Sequence, residues 1–213
     1  MLNMDFAERI VIDTNSQEWV ASPLAGVWRK PLAREEAERG HATSIVRYEA
    51  GASFSAHDHP LGEEILVLEG TFSDETGDYP AGTYFRNPEG FRHAPFSVEG
   101  CLILVKLHQF QKGDSRHASI DTHTSKWEET LPENIKTLPL HEFKKEQVSL
   151  VDIPAGVSYE LAGGGEIYII SGKFINEQGV YPVGTWVRQP GKDRQSFYAK
   201  NNTRIWLKTG HLP

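Results

Sequence analysis

Apolar residues recur along the chain in short runs that are separated by glycine and proline. Clear examples are ILVL at residues 65–68, CLILVKL at 101–107 and IYII at 167–170. Runs of this length, rich in Val, Ile, Tyr, Phe and Trp and bounded by turn-forming residues, are typical of β-strands. We therefore predict an all-β fold in which helix is minor, with one short helical segment at residues 32–38.

The run at residues 65–68 is apolar at every position. Successive side chains alternate across a strand, so Ile65 and Val67 would face one side and Leu66 and Leu68 the other. Both faces of this strand are then expected to be covered. The covering surface would come from packing between the two halves of the chain or between subunits, and we expect a homodimer.

A long segment of the sequence occurs twice. Residues 64–88 (EILVLEGTFSDETGDYPAGTYFRNP) pair without a gap with residues 166–190 (EIYIISGKFINEQGVYPVGTWVRQP), and 12 of the 25 positions are identical. Composition alone would give roughly one or two identities. The chain is therefore predicted to be a duplication of one β unit, and the shared positions include glycines, prolines and one arginine.

This repeat suggests a division of the chain into four parts. We predict an N-terminal arm at residues 1–19, a first β unit at 20–110, a connector at 111–140 and a second β unit at 141–213. The connector is polar and charged and shows no clean periodicity.

Composition excludes several classes of protein. The chain has 22 Lys and Arg against 29 Asp and Glu, a formal net charge of −7, which argues against a generic nucleic-acid binder. The single cysteine, Cys101, excludes an intrachain disulfide and an all-cysteine metal site. The first twenty residues lack the apolar stretch of a signal peptide or membrane span, and we expect a cytoplasmic protein that binds neither membrane nor nucleic acid.

Candidate metal ligands are concentrated in the first copy. Two histidines two residues apart on a strand point to the same face, so His57 and His59 can both aim imidazoles inward. Glu63 follows the next turn, and His93 arrives on a later strand. Three nitrogens and one oxygen suit Zn, Fe, Mn, Ni or Cu and leave coordination positions open. The full pattern is Gly51-x5-His57-x-His59-x3-Glu63-x6-Gly70, followed by Gly82-x5-Pro88-x-Gly90-x2-His93-x3-Ser97.

This pattern resembles the two motifs of the cupin superfamily, in order and with their spacing. The resemblance implies a duplicated cupin fold, a double-stranded β-helix or jelly-roll barrel in each half. The HDHPLGEE segment and the VLEGTFSDETGDYPAGTY stretch are most similar to the cupin domain of ChrR-type anti-sigma factors. In that group the residues matching His57, His59, Glu63 and His93 bind zinc, which makes zinc the favoured metal and Fe, Mn or Ni the alternatives. Cupins usually have Asn where Ser97 stands.

One part of those anti-sigma factors has no match here. They carry a helical zinc module with a His and a Cys-x2-Cys pair, and this sequence has only Cys101. The segment that holds a sigma factor is therefore missing, and any regulatory role needs a separate protein partner. The remaining resemblance is to two-cupin proteins, which include dioxygenases that cleave acetylacetone or hydroxyacetophenones.

The second copy serves as an internal control. The ungapped pairing places Tyr159, Leu161, Gly165 and Gln195 where the first copy has its four candidate ligands. Loss of the whole set while the glycines and prolines remain predicts one metal ion per chain, in the first copy only.

Other residues near the motifs are interpreted as structural or as lining a pocket. Glu64 and Arg86 recur in both copies, so we interpret Glu64 as a surface or interface charge and Arg86 as a structural ion-pair partner. Cys101 begins an apolar strand and is expected to be a buried, inert thiol. Four residues flank the motifs and are candidates for lining a pocket: Arg47, Phe54, Tyr84 and Phe91.

Three interpretations of function follow. The first is a metal-binding regulatory or sensing protein whose pocket takes a small-molecule ligand. The second is an Fe- or Mn-dependent dioxygenase acting on a small diketone or hydroxyaryl ketone. The third is a metal-stabilised structural protein. The sequence leaves open whether the protein is an enzyme, and no catalytic residue is assigned.

Overall fold

The protein consists of antiparallel β-strands, which confirms the all-β prediction. The structure, a computed structural model, describes residues 1–36, 39–131, 133–191 and 194–213. The chain divides into two compact units: unit 1 is Met1–Met4 with Glu18–Thr124, and unit 2 is Asp5–Gln17 with Ser125–Pro213. In the part of the chain that the structure describes, no helix has the length and apolar character needed to cross a membrane.

Unit 1 is built on one large sheet with the strand order β11-β8-β6-β10-β4-β3-β2. Strand β7 pairs with the far end of β6, and β5 pairs with β9 in a separate ladder. The strands of this unit are β2 (Val20–Ala21), β3 (Val27–Arg34), β4 (Ala42–Tyr48), β5 (His57–Asp58), β6 (Glu63–Asp74), β7 (Gly77–Pro80), β8 (Thr83–Asn87), β9 (Arg92–His93), β10 (Cys101–Leu107) and β11 (Ala118–Asp121).

The core of unit 1 lies on one face of this sheet. Ile65 and Val67 belong to it, together with Val46, Phe72 and Ile103. Leu66 lies on the opposite face and is also buried. The alternation predicted for residues 65–68 is therefore present, and both faces of the strand are covered at residues 65–67.

Unit 2 repeats this plan. Its large sheet has the order β1-β19-β16-β21-β14-β13-β12, and a smaller sheet has the order β15-β20-β17-β18. The strands are β1 (Ile10–Asp13), β12 (Glu128–Thr130), β13 (Ile135–Phe143), β14 (Glu146–Ile153), β15 (Ser158–Leu161), β16 (Gly165–Ser171), β17 (Lys173–Asn176), β18 (Gly179–Pro182), β19 (Thr185–Gln189), β20 (Gln195–Ala199) and β21 (Thr203–Thr209). A short 3-10 turn, Thr14–Ser16, follows β1.

Two of the glycines shared by the two copies are explained by their backbone conformation. Gly82 and Gly184 lie immediately before the equivalent strands β8 and β19. Their φ angles are +87° and +83°, in a region that L-residues rarely adopt. A Cβ atom on Gly184 would lie 2.9 Å from Thr14 Oγ1. Their carbonyl groups accept hydrogen bonds from the Thr122 and Thr14 hydroxyls, at 2.6 Å and 2.8 Å respectively.

Those two threonines reveal a second stretch of repeat that the sequence comparison missed. Ile12-Asp13-Thr14 matches Ile120-Asp121-Thr122 at an offset of 108 residues rather than 102. Strand β1 pairs with β19 and forms the edge of the large sheet of unit 2, and β11 pairs in the same way with β8 at the edge of the large sheet of unit 1. Most of the predicted arm, residues 5–17, thus belongs to unit 2, and the predicted connector contains β11, β12 and the start of β13.

The helix predicted at residues 32–38 is wrong where the structure describes it. Residues 32–34 continue β3, which pairs with β4 through a register shift between Pro31 and Ala33. The same shift recurs between Pro139 and His141 in β13. Tertiary pairing here overrides a local composition that suits a helix. Residues 37 and 38 of the predicted helix lie outside the described residues.

Candidate metal centre

The four predicted ligands lie together at one end of the unit 1 core. His57 and His93 are directly opposite each other in the β5–β9 ladder. His59 follows two residues after His57, and Glu63 is the first residue of β6. The turn between them is closed by the Gly62 N–H, which donates to the His59 carbonyl at 3.1 Å.

Their side-chain atoms converge on one point. His59 Nε2 lies 2.9 Å from His93 Nε2. Glu63 Oε2 lies 3.6 Å from His59 Nε2 and 3.4 Å from His93 Nε2. One potential ligand nitrogen from each of His57, His59 and His93 lies within 4.8 Å of the others. The sequence pattern alone fixed none of these distances.

Hydrogen bonds set which ring nitrogens carry a hydrogen. His93 Nδ1 lies 3.0 Å from Asp74 Oδ2, and His57 Nδ1 lies 2.9 Å from the Ser55 carbonyl oxygen. Both partners only accept hydrogen bonds, so Nδ1 is the donor in each neutral ring and Nε2 keeps its lone pair. Lone-pair nitrogens and a carboxylate oxygen this close together are the donor set of a first-row divalent cation, and the residues therefore fit a metal.

Two residues of this site were missed by sequence reasoning. Asp74, buried at the end of β6, orients His93 and is itself held by the Thr76 backbone N–H at 2.8 Å. Asn87 lies opposite Glu63 in the β6–β8 ladder and donates from Nδ2 to Glu63 Oε2 at 3.2 Å. A signal for Asp74 existed, because the ungapped pairing replaces it with Asn176 in the copy that lacks the candidate metal ligands.

Burial shifts the pKa values of His59 and Glu63 in the directions that favour their neutral forms. Burial lowers the pKa of His59 to about 4, and the neighbouring His57 adds to the shift. Burial raises the pKa of Glu63, against the opposing effects of His93 and Asn87. For Asp74 burial works to raise the pKa, but hydrogen bonds from Thr76 and His93 outweigh it and the pKa is lowered.

The lowered pKa of His59 predicts an acid-sensitive stability. Between the ordinary value of 6.5 and about 4, unfolded chains take up a proton at His59 that the folded metal-free protein does not. The free energy of unfolding should therefore fall by about 3 kcal/mol as pH drops through this window. Glu63 contributes with the opposite sign, since its pKa is raised.

Denaturant unfolding of chelator-treated protein at several pH values measures this effect. In the His59→Gln variant, the free energy of unfolding should fall less steeply as the pH is lowered, because the contribution of His59 is absent. The exposed His117 provides the control, and His117→Gln should behave as the wild type. Identical pH profiles for His59→Gln and wild type would contradict the assignment.

A cavity of about 280 Å³ adjoins the histidines. Its walls are the inner-face side chains of β3, β4 and β10, and its floor includes His57, His59 and Glu63. Phe54, one of the predicted pocket residues, lines it, with Tyr48 at 5.6 Å between ring centroids. The remaining lining residues are Arg29, Arg34, Ala42, Ser44, Val46, Asp58, Pro95, Ile103, Val105, Leu107 and His108.

The other three predicted pocket residues lie elsewhere in unit 1. The Arg47 guanidinium lies 4.5 Å from the Trp19 ring centroid, on the face of β4 opposite Val46. Tyr84 is fully buried beside the core residue Phe85 but on the other face of β8. The Phe91 ring packs edge-on to His93, 5.4 Å away, and is not part of the cavity wall described above.

Comparison with known proteins identifies the family. A profile of the ChrR cupin-like domain matches residues 7–111 and, separately, residues 115–213. The chain belongs to the ChrR cupin-like family. Each half matches the same profile, which confirms the duplication, and the units are a first cupin (unit 1) and a second cupin (unit 2). No curated protein matches the sequence.

Solved structures confirm the duplicated cupin jelly-roll fold. A provisionally named dioxygenase from Nostoc punctiforme superposes with a TM-score of 0.77 at 15% identity, covering 95% of this chain and 82% of that one. A pirin from Escherichia coli, solved with nickel(II), gives 0.73 at 12% identity, with 94% and 98% covered. Oxalate decarboxylase from Bacillus subtilis, which has Mn(II) centres, gives 0.65 at 12% identity, with 93% and 76% covered. At these identities the likeness establishes the fold alone.

The second cupin corrects one detail of the internal comparison. Gln195 is opposite Leu161 in the β15–β20 ladder, as His93 is opposite His57 in the first cupin. Leu161, rather than Tyr159, therefore takes the place of His57. The reason is a shorter loop before β16, which the ungapped pairing could not show. Leu161 packs in the apolar core of the second cupin.

Glu64 and Arg86 of the first cupin lie on the outer face of the sheet, away from the histidines. Glu64 was predicted to be a surface or interface charge, but its exposed fraction is 3%. It lies opposite Arg86 on one side and Lys106 on the other, so two cations offset the cost of burying it. Arg86 makes the predicted ion pair, with Asp114 at 2.8 Å.

Ser97 and Cys101 support the first cupin from its core. The Ser97 hydroxyl donates to the Thr71 carbonyl at 2.6 Å, so it joins the strand ends rather than contacting the histidines. Cys101 is buried, and burial raises the pKa of its thiol to about 11. The thiol stays protonated at neutral pH, which fits the predicted inert cysteine.

Proposed function

We propose that the first cupin binds one divalent metal ion through His57, His59, His93 and Glu63, and that it senses a small molecule at that ion. The supporting observation is the cavity of about 280 Å³ that adjoins these four residues. A purely structural metal site is normally closed by protein ligands and needs no adjoining cavity. The cavity therefore favours ligand binding over the structural interpretation.

The chain's own residues would each have a defined part in this site. Asp74 orients His93, the Ser55 carbonyl orients His57, and Asn87 holds one oxygen of Glu63. Once bound, the metal would act as a Lewis acid toward an oxygen of the ligand. The apolar lining residues Val46, Ile103 and Val105 would limit the contact of the ligand with water. We favour zinc on the family resemblance, with Fe, Mn or Ni as alternatives.

We further propose that the second cupin holds no metal at the equivalent position. Leu161 and Gln195 occupy the places of His57 and His93 there. The surrounding core, which includes Phe174 and Phe197, is apolar and fully buried. Its role would be structural. For the regulatory function, we propose a protein partner that the first cupin would contact in a ligand-dependent manner.

The second candidate function is an Fe- or Mn-dependent dioxygenase. The same cavity favours it, because a substrate could reach the metal from the side lined by Tyr48 and Phe54. Oxygen consumption distinguishes the two functions. Protein loaded anaerobically with Fe(II), Mn(II) or Zn(II) is mixed with acetylacetone or a hydroxyacetophenone, with His57→Ala/His59→Ala as the inactive control.

A sensing role predicts oxygen consumption no faster than that of this control, for every metal and substrate pair. Sustained turnover with Fe(II) or Mn(II) that the histidine variant lacks would establish the dioxygenase function and refute the sensing role. Elemental analysis of each sample verifies the loading. This comparison does not depend on which metal the protein carries when purified.

Asp74 offers a more selective test of the metal site. Replacing it with asparagine, the residue at the equivalent position 176, removes the negative charge behind His93 and keeps the side-chain shape. We expect metal affinity to fall by about 10- to 100-fold, the usual effect of losing such a partner. Competition with a chromogenic chelator measures it. Glu99→Gln, at an exposed position, is the control, and equal affinities for both variants would contradict the orienting role.

A further inference from the structure

Strand β4 contributes one wall of the cavity in the first cupin. Side chains alternate across a strand, and those of β4 that line the cavity are Ala42, Ser44, Val46 and Tyr48. Two of these four carry hydroxyl groups. Apolar side chains would serve packing alone, so the two hydroxyls need a separate explanation.

Neither hydroxyl has a hydrogen-bond partner among the residues that the structure describes. The Ser44 side chain is 2% exposed, and its Oγ is unpaired. Tyr48 is 6% exposed, and its ring packs against Phe54 and Phe72, with 5.6 Å between the centroids in each pair. A buried hydroxyl without a partner is costly, because it has given up its hydrogen bonds to water. A bound molecule would supply the missing partner.

Tyr48 faces the same cavity as the proposed metal ligands His57, His59 and Glu63. The Phe54 ring lies between, with its centroid 5.6 Å from those of Tyr48 and His57. Burial, followed by the negative charge of Glu63, raises the pKa of the Tyr48 hydroxyl well above its ordinary value of 10. The hydroxyl therefore keeps its proton at neutral pH and is a hydrogen-bond donor to a molecule in the cavity.

The charged residues that line the cavity already interact with other groups of the protein. Asp58 accepts from Arg92 at 3.2 Å. Glu63 belongs to the proposed metal site, and Arg29 and Arg34 each have interactions within the protein. The buried groups left without a partner on the described wall are thus uncharged hydroxyls. They favour a hydroxyl or carbonyl oxygen on the ligand over a carboxylate.

The second cupin shows that the fold does not require both hydroxyls. Aligning the two cupins on the register shift after the proline of β3 and of β13 matches Ser44 with Ser149. Four residues later, Tyr48 matches Ile153. Ser149 is only partly buried, and Ile153 belongs to the apolar core. The tyrosine and the fully buried serine thus occur together in the cupin that has the candidate metal ligands, and the other cupin lacks both features.

We infer that the first cupin binds a small ligand with a hydroxyl or carbonyl oxygen beyond its metal-binding end, and that Tyr48 donates a hydrogen bond to this oxygen. Ser44 provides the second hydroxyl on the same wall, for a further polar atom of the ligand. The inference rests on the proposed function, because the other end of the ligand would lie at the metal. A ligand without the oxygen leaves the Tyr48 hydroxyl unpaired, which makes the cavity selective.

The dimensions of the cavity limit the size of such a ligand. The cavity volume of about 280 Å³ is at the small end of the range for ligand sites. Ser44 and Tyr48 are four residues apart on one strand, which separates their backbones by about 13 Å. The two hydroxyls therefore bind different atoms of the ligand. A single ring with a metal-binding substituent and a second oxygen fits these limits.

Calorimetric titration with benzohydroxamate and its 3-hydroxy and 4-hydroxy derivatives tests the inference. The hydroxamate group chelates zinc, and the ring hydroxyl supplies the second oxygen. Zinc-loaded wild-type protein should bind at least one hydroxylated probe about fivefold or more tightly than benzohydroxamate. In Tyr48→Phe this gain should fall to about twofold or less, while the affinity for benzohydroxamate does not fall. The 4-carboxy derivative should bind wild type no more tightly than benzohydroxamate.

Tyr48→Phe keeps the ring that packs against Phe54 and Phe72, and we expect it to fold and to hold zinc. Ser44→Ala should weaken the binding of a hydroxylated probe, and wild-type affinities in this variant would overturn the part assigned to Ser44. Tyr84→Phe is the matched control, because Tyr84 is buried outside the cavity lining. It should keep the full gain of wild type.

The outcomes for the metal site and for Tyr48 are distinguishable. The inference alone is overturned if benzohydroxamate binds but no hydroxylated probe binds more tightly, if Tyr48→Phe keeps the whole gain, or if the carboxylate probe binds most tightly. Wild-type protein that takes up no zinc, or that holds zinc and does not bind benzohydroxamate, overturns the proposed function and the inference with it. Elemental analysis of the same samples measures the zinc.

Discussion

Protein purified without added metal or chelator is expected to hold about one divalent ion per chain, and His93→Ala to hold less than about a tenth of that amount. His93 is fully buried, lies within 2.9 Å of His59 Nε2 and is oriented by Asp74. Alanine would remove a ligand and leave the Asp74 carboxylate without its imidazole. The double variant His57→Ala/His59→Ala should lose the metal to the same extent. Elemental analysis measures both.

His93→Gln separates loss of metal from loss of folding. Glutamine is the residue of the second cupin at this place, Gln195, so the barrel tolerates it. Its amide can still donate to Asp74, and we expect a folded protein without stoichiometric metal. His117→Ala, on an exposed residue, should retain the metal. A His93→Gln variant that keeps the full metal content would refute the ligand assignment.

Glu64 is a poor control for that experiment, although it neighbours the proposed ligand Glu63. The side chain is buried between Arg86 and Lys106. Alanine at this position would leave two buried cations with less compensation and destabilise the fold. Any metal loss in Glu64→Ala would then reflect unfolding.

Deletion of residues 1–17 is expected to destabilise the second cupin and leave metal binding in the first intact. Strand β1 pairs with β19 at the edge of the sheet, and the Phe6 ring packs 4.7 Å from the guanidinium of the buried Arg188. Arg9 donates to Gln189 and to the Tyr181 hydroxyl. Losing four ladder residues and these contacts should lower the stability of that cupin by roughly 3 kcal/mol or more.

Thermal unfolding followed by calorimetry, together with metal analysis, measures this effect. The shorter deletion of residues 1–4 is the control, because those residues belong to the first cupin and pair there through Leu2 and Arg34. Only the longer deletion should lower the transition of the second cupin. Equal effects of the two deletions, or metal loss specific to the longer one, would contradict the assignment of residues 5–17 to the second cupin.

Much of the fold could be predicted from the sequence because its signals are local. The apolar runs, the turn residues and the ungapped repeat at residues 64–88 and 166–190 each lie within a few dozen residues. The repeat at Ile12-Asp13-Thr14 was missed because its offset of 108 residues differs from 102. The helix prediction failed at residues 32–34 because pairing of β3 with β4 decides the conformation there.

The residues of the candidate site likewise fall into those that local sequence patterns predict and those that they do not. His57, His59, Glu63 and His93 belong to two local patterns with fixed spacing, and the sequence alone identified them. Asp74 belongs to neither pattern. Its side chain contacts His93 only because the fold places the end of β6 next to β9. Arg29 and Arg34 resemble ordinary surface arginines in sequence.

By itself, the sequence determined the fold family, the duplication and the four residues proposed as metal ligands, since each depends on residue types at fixed spacing. Only the tertiary structure decided which side chains surround those ligands. Arg29 and His108 are far apart in sequence and share a cavity because strand register, including the bulge after Pro31, places them on one inner face. Register is set by hydrogen bonds and packing between distant strands, which no local pattern encodes.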